Sequence, residues 1–243
     1  MATNGWTYRS AKSLVIVLTV LFGMGLLVDL VLGAITLVEC SALQNNLNGA
    51  GNGLGNPEDP DIALGLVQLG AGVLWGLLYL VTAVIFCVWI YRVNANARAL
   101  GAADMTITPG WSVGWFFIPF ANLVKPYVAV KEIWNASDSH PDEVSALGGV
   151  PLLVGTWWGA WLLSNVLGNA SFRATFAATK PEEVLRANYI SLADDVVTVG
   201  LFILVILLVQ GIHKRQTKLF RAVRKLRRQQ AAAAETERVQ PAW

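Results

Sequence analysis

Four long apolar stretches dominate the pattern of hydrophobic and polar positions along this chain. They cover residues 14–38, 64–90, 147–167 and 190–212. A helix needs about 20 apolar residues to cross the hydrocarbon core of a bilayer, which is about 30 Å thick. Each stretch meets that length, so the pattern predicts an all-α integral membrane protein whose four spans pack as a four-helix bundle.

A fifth apolar stretch, residues 111–130, contains helix breakers and polar side chains. Pro119 and Pro126 interrupt a helix, and Asn122 and Lys125 add polar groups that lipid does not satisfy. We expect a half-inserted segment at 110–118, a break at 119–125 and a helix at the cytoplasmic interface at 126–137. This broken element, re-entrant or interfacial, separates spans 2 and 3, and an anchoring helix is the favoured interpretation.

The interfacial helix should be amphipathic. Tyr127, Val130, Ile133 and Trp134 share one side, while Lys131, Glu132 and Asn135 face water.

Composition and charge add the localisation. Of all residues, 55% are hydrophobic and only 14% are charged, which is typical of a membrane protein. With four spans, only three of the 18 Lys and Arg residues fall on one side, namely Arg173, Lys180 and Arg186. Because Lys and Arg collect on the cytoplasmic side, both termini are predicted to be cytoplasmic. Residues 1–212 are expected to form one membrane domain.

The last span continues into a basic segment, residues 213–230, which we interpret as a juxtamembrane helix. Its basic residues should contact anionic lipid headgroups; they are Lys214, Arg215, Lys218, Arg221, Arg224, Lys225, Arg227 and Arg228. Nucleic acid is not an expected partner because the helix is tethered to the bilayer. Residues 231–243 are expected to be a disordered tail.

Polar side chains inside the spans form the candidate site. At 1.5 Å per residue they fall in one layer of the outer half of the bundle; they are Asp29, Gln68, Asn165, Asp194 and Asp195, with Ser164 nearby. A buried carboxylate is costly unless it is paired, hydrated or protonated, so Asp29 should face the bundle interior. The site is either a proton- or cation-linked centre or a neutral Asp29 that bonds across helices as packing.

Enzyme chemistry has little support in the sequence. His140 and His213, the two histidines, are both predicted outside the bundle. No Ser/His/Asp arrangement, His/Cys metal-ligand spacing or cofactor fingerprint is present. We therefore expect no catalytic residue, metal or cofactor.

Paired glycines suggest close helix contacts. Gly72 with Gly76, and Gly155 with Gly159, stand in GxxxG register. Such contacts arise within one chain or between two chains, so a homo-oligomer stays open.

Residues 89–137 carry a distinctive string. It reads WIYR from Trp89, NARALG from Asn96, PGWSVGWFFIPFANL from Pro109, and KPY with EIW between Lys125 and Trp134. It resembles the bacterial multi-pass membrane family catalogued as domain of unknown function 4328. The resemblance implies a bacterial plasma-membrane protein and supplies no activity. Its polar, Pro and Trp positions are Arg92, Asn96, Pro109, Trp111, Trp115, Pro119, Asn122, Pro126 and Glu132.

Physical roles can be proposed for this string. An aromatic belt at the cytoplasmic headgroups is expected from Trp89, Tyr91, Trp111, Trp115 and Trp134. Gly101 should end the second helix. We further hypothesise that Asn96 and Asn122 satisfy the backbone groups freed at the Pro119 break.

These observations favour a non-enzymatic membrane scaffold or assembly component. Its cytoplasmic element and basic helix would bind lipid or a protein partner. The alternative is a small proton- or cation-linked transporter or channel that uses the polar layer.

Overall fold

The protein is described here from a computed structural model that covers residues 5–49, 62–102, 104–138 and 152–239. The side chains of 62–69 and 236–239 lie outside this description. The described residues are all-helical, with 85% helix and no strand. The elements in order are α1 (Lys12–Leu47), α2 (Ile62–Ala99), α3 (Pro109–Gly114), a 3-10 turn (Ala121–Leu123), α4 (Lys125–Ala136), α5 (Leu152–Ala177) and α6 (Pro181–Val239).

Among the described residues, three helices are long and apolar enough to cross a membrane: α1, α2 from Gly70 onward, and α6. Large apolar side chains such as Leu27, Leu74 and Val196 are mostly exposed on them. Exposing such an apolar surface to water costs free energy, whereas contact with lipid tails does not. These helices correspond to the spans expected at 14–38, 64–90 and 190–212.

Helix α5 takes the place of the remaining expected span, 147–167. It has 26 residues, long enough to cross a bilayer, but three Trp and two Asn make it less apolar than the other three helices. Residues 147–151 lie outside the described part of the chain. A fourth crossing is therefore a proposal, which is taken up below.

The chain divides into two compact units. The motif unit comprises Met1–Ile16, Cys87–Val154 and Leu208–Trp243, and it contains the string of residues 89–137. The acidic unit comprises Val17–Phe86 and Gly155–Leu207, and it contains Asp29, Asp194 and Asp195.

Side chains from three helices form the apolar core of the motif unit. Trp89, Ile90 and Val93 of α2 are fully buried, as are Val130 and Ile133 of α4 and Leu208 and Ile212 of α6. Helix α4 is amphipathic as expected, with Trp134 buried and Asn135 exposed. The aromatic belt was wrong for Trp89 and Trp134, because both pack inside the protein; Tyr91 and Trp111 are exposed.

Local sequence signals end α2 and start α3. Gly101 adopts a φ of 108°, and its amide donates to the Arg98 carbonyl, so it ends α2 as predicted. The Thr108 hydroxyl accepts from the Trp111 amide and Pro109 occupies the first turn, which together start α3. Helix α3 ends at Gly114, short of the half-inserted segment expected through 118, and turns follow it.

Helix α6 is one continuous helix of 59 residues. Its start is capped by Glu183, whose carboxylate accepts from the Thr179 and Lys180 amides at 2.9 and 3.3 Å. The basic segment continues the span, as expected. The prediction of a disordered tail was wrong for residues 231–239, since the helix continues to Val239. Residues 240–243 lie outside the described part of the chain.

Helix α6 contacts both α1 and α5 in the acidic unit. Phe202 packs against Gly25, where an added Cβ would lie 3.0 Å from its ring, and against Phe22 at 6.1 Å between centroids. Ser164 and Ser171 pair with Thr198 and Ser191 at 3.1 and 2.6 Å between hydroxyl oxygens.

The expected GxxxG contacts within the chain are absent from the described residues. An added Cβ would meet open space at all four glycines, Gly72, Gly76, Gly155 and Gly159. The intrachain interpretation was therefore wrong. Contact between two chains at these glycines stays a prediction.

Candidate functional site

A buried hydrogen-bond network crosses the motif unit, and Gln216 of α6 is its centre. The Gln216 amide nitrogen donates to the Val93 carbonyl of α2 at 2.8 Å and to the Ser137 hydroxyl at 3.1 Å. Ser137, which follows α4, donates in turn to the Ile133 carbonyl. Gln216 is only 1% exposed. One side chain therefore links α6 to α2 and to the end of α4.

Asn96 extends this network to the N-terminal arm. Its side chain accepts from the Arg9 amide and donates to the Arg9 carbonyl, both at 2.9 Å, so it pairs with the backbone as another peptide group does. The same amide nitrogen lies 3.5 Å from the Gln216 side-chain oxygen. Asn96 was expected at the Pro119 break; this was wrong, because it fixes the arm instead.

Two charged residues hold the loop between α2 and α3. Arg98 donates to the carbonyls of Met105 and Ile107, both at 3.0 Å. Glu132 of α4 accepts from the amides of Thr106 and Ile107, both at 3.0 Å, and from the Thr106 hydroxyl. Asn94 also donates to the Ile107 carbonyl. Glu132 therefore accepts hydrogen bonds from backbone amides of the motif unit, although the sequence pattern predicted that it faces water.

Arg215 makes two contacts within the protein. Its guanidinium lies 2.6 Å from Asp138 and 4.2 Å from the centre of the Trp134 ring. A planar guanidinium suits both contacts at once. Headgroup contact by Arg215 stays a prediction, and the other seven basic residues of the set, from Lys214 to Arg228, are exposed.

The Pro119 break forms an exposed apolar loop, residues 115–124. Phe117 is 74% and Phe120 86% exposed, and Phe120 takes a positive φ of 63°. The Asn122 side chain donates to the Phe116 carbonyl at 3.3 Å, so Asn122 satisfies a freed backbone group as predicted. At the start of the loop, Trp115 stacks on Trp111 of α3 with 4.6 Å between ring centroids. The Lys125 ammonium lies over the Trp115 ring.

The remaining motif residues have plainer surroundings. Pro109 and Pro126 are buried near the starts of α3 and α4, where a missing N–H costs nothing. Arg92 is half-buried and Pro119 is exposed.

Three carboxyl groups of the spans lie in the acidic unit. Asp29 of α1 is 7% exposed. Asp194 and Asp195 of α6 are the two acidic residues whose charges interact with its carboxyl group. Asp195 lies against α1 at Gly33, where an added Cβ would be 3.2 Å from its carboxylate, and Asp194 lies in the same way against Gly168 of α5. The hydroxyls of Ser164 and Thr198 lie beside Asp194.

The rest of the expected polar layer does not join these acids. Asn165 is exposed, and its side chain donates to the Trp161 carbonyl of its own helix at 2.7 Å. The side chain of Gln68 lies outside the described residues. Within the described part of the chain, no group of three or more His, Cys, Asp or Glu is arranged to hold a metal ion.

The sequence argument missed Gln216, Asn94 and Ser137. A signal for Gln216 was present, because Leu208, Ile212 and Gln216 follow one another at intervals of four residues on the buried side of α6. The surrounding Lys and Arg residues concealed it. Asn94 and Ser137 carry no comparable signal, since nothing in their spacing distinguishes them from exposed polar residues.

Comparison with known proteins gives one match. The family model described as a domain of unknown function (DUF4328) matches residues 61–214. No curated protein and no solved structure was found to match the chain.

Proposed function

The chain belongs to the family described as a domain of unknown function (DUF4328), and we propose that it is a non-enzymatic membrane scaffold. The Gln216 network is the observation that carries this proposal. It ties the beginning of the basic helix to the N-terminal arm, to α2 and to the end of α4. Such a network fixes the beginning of the basic helix to these elements of the motif unit.

Beyond this anchor, α6 presents a long free surface. Tyr8 stacks on Phe220 at 4.2 Å, and from Arg224 to Glu235 every residue is exposed. An isolated helix of this composition gains nothing from burial within the chain. The exposed length of α6 is therefore proposed as the surface that a cytoplasmic protein partner binds.

The charge of the same helix supports contact with lipid headgroups. Seven exposed basic residues line it between Lys214 and Arg228, and each is worth about 1 kcal/mol near an anionic surface. The exposed aromatic side chains of the apolar loop, Phe117 and Phe120, suit the interface of the same membrane. We place the motif unit on the cytoplasmic face of a bacterial inner membrane.

The topology that goes with this proposal has four crossings, with α5 as the third. Helix α5 pairs with α6 through two hydroxyl contacts, and its exposed side chains include Leu163 and Val166. With α5 as a crossing, both termini are cytoplasmic, because an even number of crossings returns the chain to its first side. The basic helix then lies where Lys and Arg collect.

Headgroup contact can be tested in nanodiscs with the full-length protein. A fluorophore is attached at Gln229→Cys, in a chain with Cys40→Ala and Cys87→Ala, and quenched by headgroup-linked quenchers. Quenching should be stronger with anionic than with neutral lipid and should weaken with salt. The variant Arg221→Gln/Arg224→Gln/Arg228→Gln should lose this difference, and Arg173→Gln/Lys180→Gln/Arg186→Gln should retain it. Equal quenching in both lipids would contradict headgroup contact.

Partner binding is tested by a photoreactive amino acid at Ala233, an exposed position on α6. In living cells the scaffold should yield a discrete cross-linked protein. The same label at exposed Lys180 serves as the control. A chain that gives no cross-linked protein from Ala231 or Ala233 is not a scaffold at this surface.

A further inference from the structure

The acidic unit contains a cluster of three carboxyl groups, which the proposed scaffold role does not require. Asp29 lies on α1, one helical turn before Gly33, so both face the same side of the helix. The Asp195 carboxylate lies at Gly33, and the Asp194 carboxylate lies at Gly168 of α5. At both points a neighbouring helix has no side chain, which gives each carboxyl group a recess against backbone.

One carboxyl oxygen of Asp29 is buried without a hydrogen-bond donor. The residue is more than nine-tenths buried, and its Oδ2 atom has no hydrogen-bond partner. The Oδ1 atom of Asp194 is buried and likewise has none. A buried carboxylate oxygen without a donor is costly, and two such oxygens in one cluster call for hydrogens that the chain itself does not provide.

The neighbouring elements supply no positive charge. Residues 17–38 of α1 contain Asp29 and no other charged residue, and α5 contains none before Arg173. On α2, residues 70–86 contain Tyr79, which is exposed, as the one titratable group there. On α6, Asp194 and Asp195 are the charged residues between Arg186 and His213. Arg173 and Arg186 are themselves exposed.

We propose that Asp29, Asp194 and Asp195 form an exchangeable proton-binding site within the membrane spans. Like charges in one apolar site disfavour full ionisation of the cluster. A bound proton removes the charge of one carboxyl group and so lowers the cost of burying it. The Ser164 and Thr198 hydroxyls beside Asp194 provide further polar contact. This is the type of site on which a proton-linked transporter depends, and it is independent of the scaffold role.

The test uses full-length protein in liposomes and the hydrophobic reagent dicyclohexylcarbodiimide. The reagent takes the proton of a carboxylic acid onto its own nitrogen while the carboxylate oxygen adds to its central carbon, so a protonated carboxyl group in an apolar site reacts. Mass spectrometry locates the modification. Asp29 should be modified, and its modification should fall by about tenfold per pH unit once the site has titrated. Glu39 on the same helix and exposed Glu182 serve as internal controls and should react far less.

Variants separate the site from folding effects. Asp195→Asn should change the pH at which Asp29 reacts, because it removes one of the charges acting on it, while Glu39→Gln should leave that pH unchanged. Three results would overturn the proposal: no modification of Asp29, modification that does not depend on pH, or protection by sodium or potassium at fixed pH, which would indicate a cation site. Since wild-type protein carries the main measurement, poor folding of a variant leaves the test intact.

Discussion

Buried amide side chains determine how the motif unit holds together. Gln216 and Asn96 are almost completely buried, and each bonds to the backbone of another segment. An amide side chain can donate and accept at the same time, so it can replace a peptide group between elements that share no sheet or helix. This is why one Gln in a basic segment has more structural weight than the charges around it.

Replacing Gln216 by Ala should destabilise the motif unit. The change leaves the buried Ser137 hydroxyl and Asn96 amide each without one partner, at a cost of about 1–3 kcal/mol. The midpoint of thermal unfolding of the purified protein, followed by tryptophan fluorescence, should decrease. Gln229→Ala is the control, because Gln229 is exposed on the same helix. Equal midpoints for both variants would contradict the role of the network.

Two glycines on α1 give a matched pair at the scale of a helix contact. An added Cβ at Gly25 would lie 3.0 Å from the Phe202 ring, whereas Gly23 faces open space. Gly25→Ala should lower stability by about 1–3 kcal/mol through overpacking. Gly23→Ala should raise stability by up to about 1 kcal/mol, because Ala favours the helix. Thermal unfolding of both variants checks the opposite signs.

At the scale of elements, α6 serves two purposes along one continuous helix. Its first part is apolar enough to span a membrane, and its last part is basic and exposed. Between them, Arg215 and Gln216 attach the helix to the end of α4 and to α2. This attachment joins the start of the basic part to the rest of the motif unit.

Arg215 and Lys214 should therefore respond differently to substitution. Arg215→Ala removes the Asp138 ion pair and the contact with Trp134, at a cost of about 1–2 kcal/mol after allowing for solvent exposure. Lys214→Ala should leave the unfolding midpoint unchanged, because Lys214 is exposed. Lys214→Ala should reduce binding to anionic lipid more than Arg215→Ala does. A greater loss of lipid binding from Arg215→Ala than from Lys214→Ala would show that Arg215 is a headgroup contact.

At the scale of the whole molecule, the number of crossings decides which residues share a compartment. Three helices of the described part of the chain meet the length and apolarity needed to cross, and the role of α5 decides between three crossings and four. With three crossings, the termini lie on opposite sides of the membrane. With four, they lie on the same side.

Engineered cysteines measure this directly. Cys40 is buried, so it is a poor reporter, and Cys40→Ala/Cys87→Ala provides the background. A membrane-impermeant thiol reagent applied to intact cells should label Lys180→Cys and spare Asn135→Cys and Ala231→Cys, three exposed positions that flank α5 and follow the α6 span. Identical labelling of Asn135→Cys and Lys180→Cys would exclude α5 as a crossing.

The sequence by itself determined the helical membrane character, the ends of α2 and α4, the continuity of α6 and the role of Asn122. These follow from apolar length, local backbone signals and side-chain reach over a few residues, all of which act along the chain. Tertiary structure alone decided that Trp89 and Trp134 belong to the interior, that Arg215 pairs with Asp138 and that Asn96 holds the N-terminal arm. It also decided that Asp195 lies against α1 one turn from Asp29, while Asn165 turns away. Each of those outcomes depends on which faces of distant helices meet, because an aromatic or charged side chain near a helix end suits lipid headgroups and a protein core equally well until its neighbours are known.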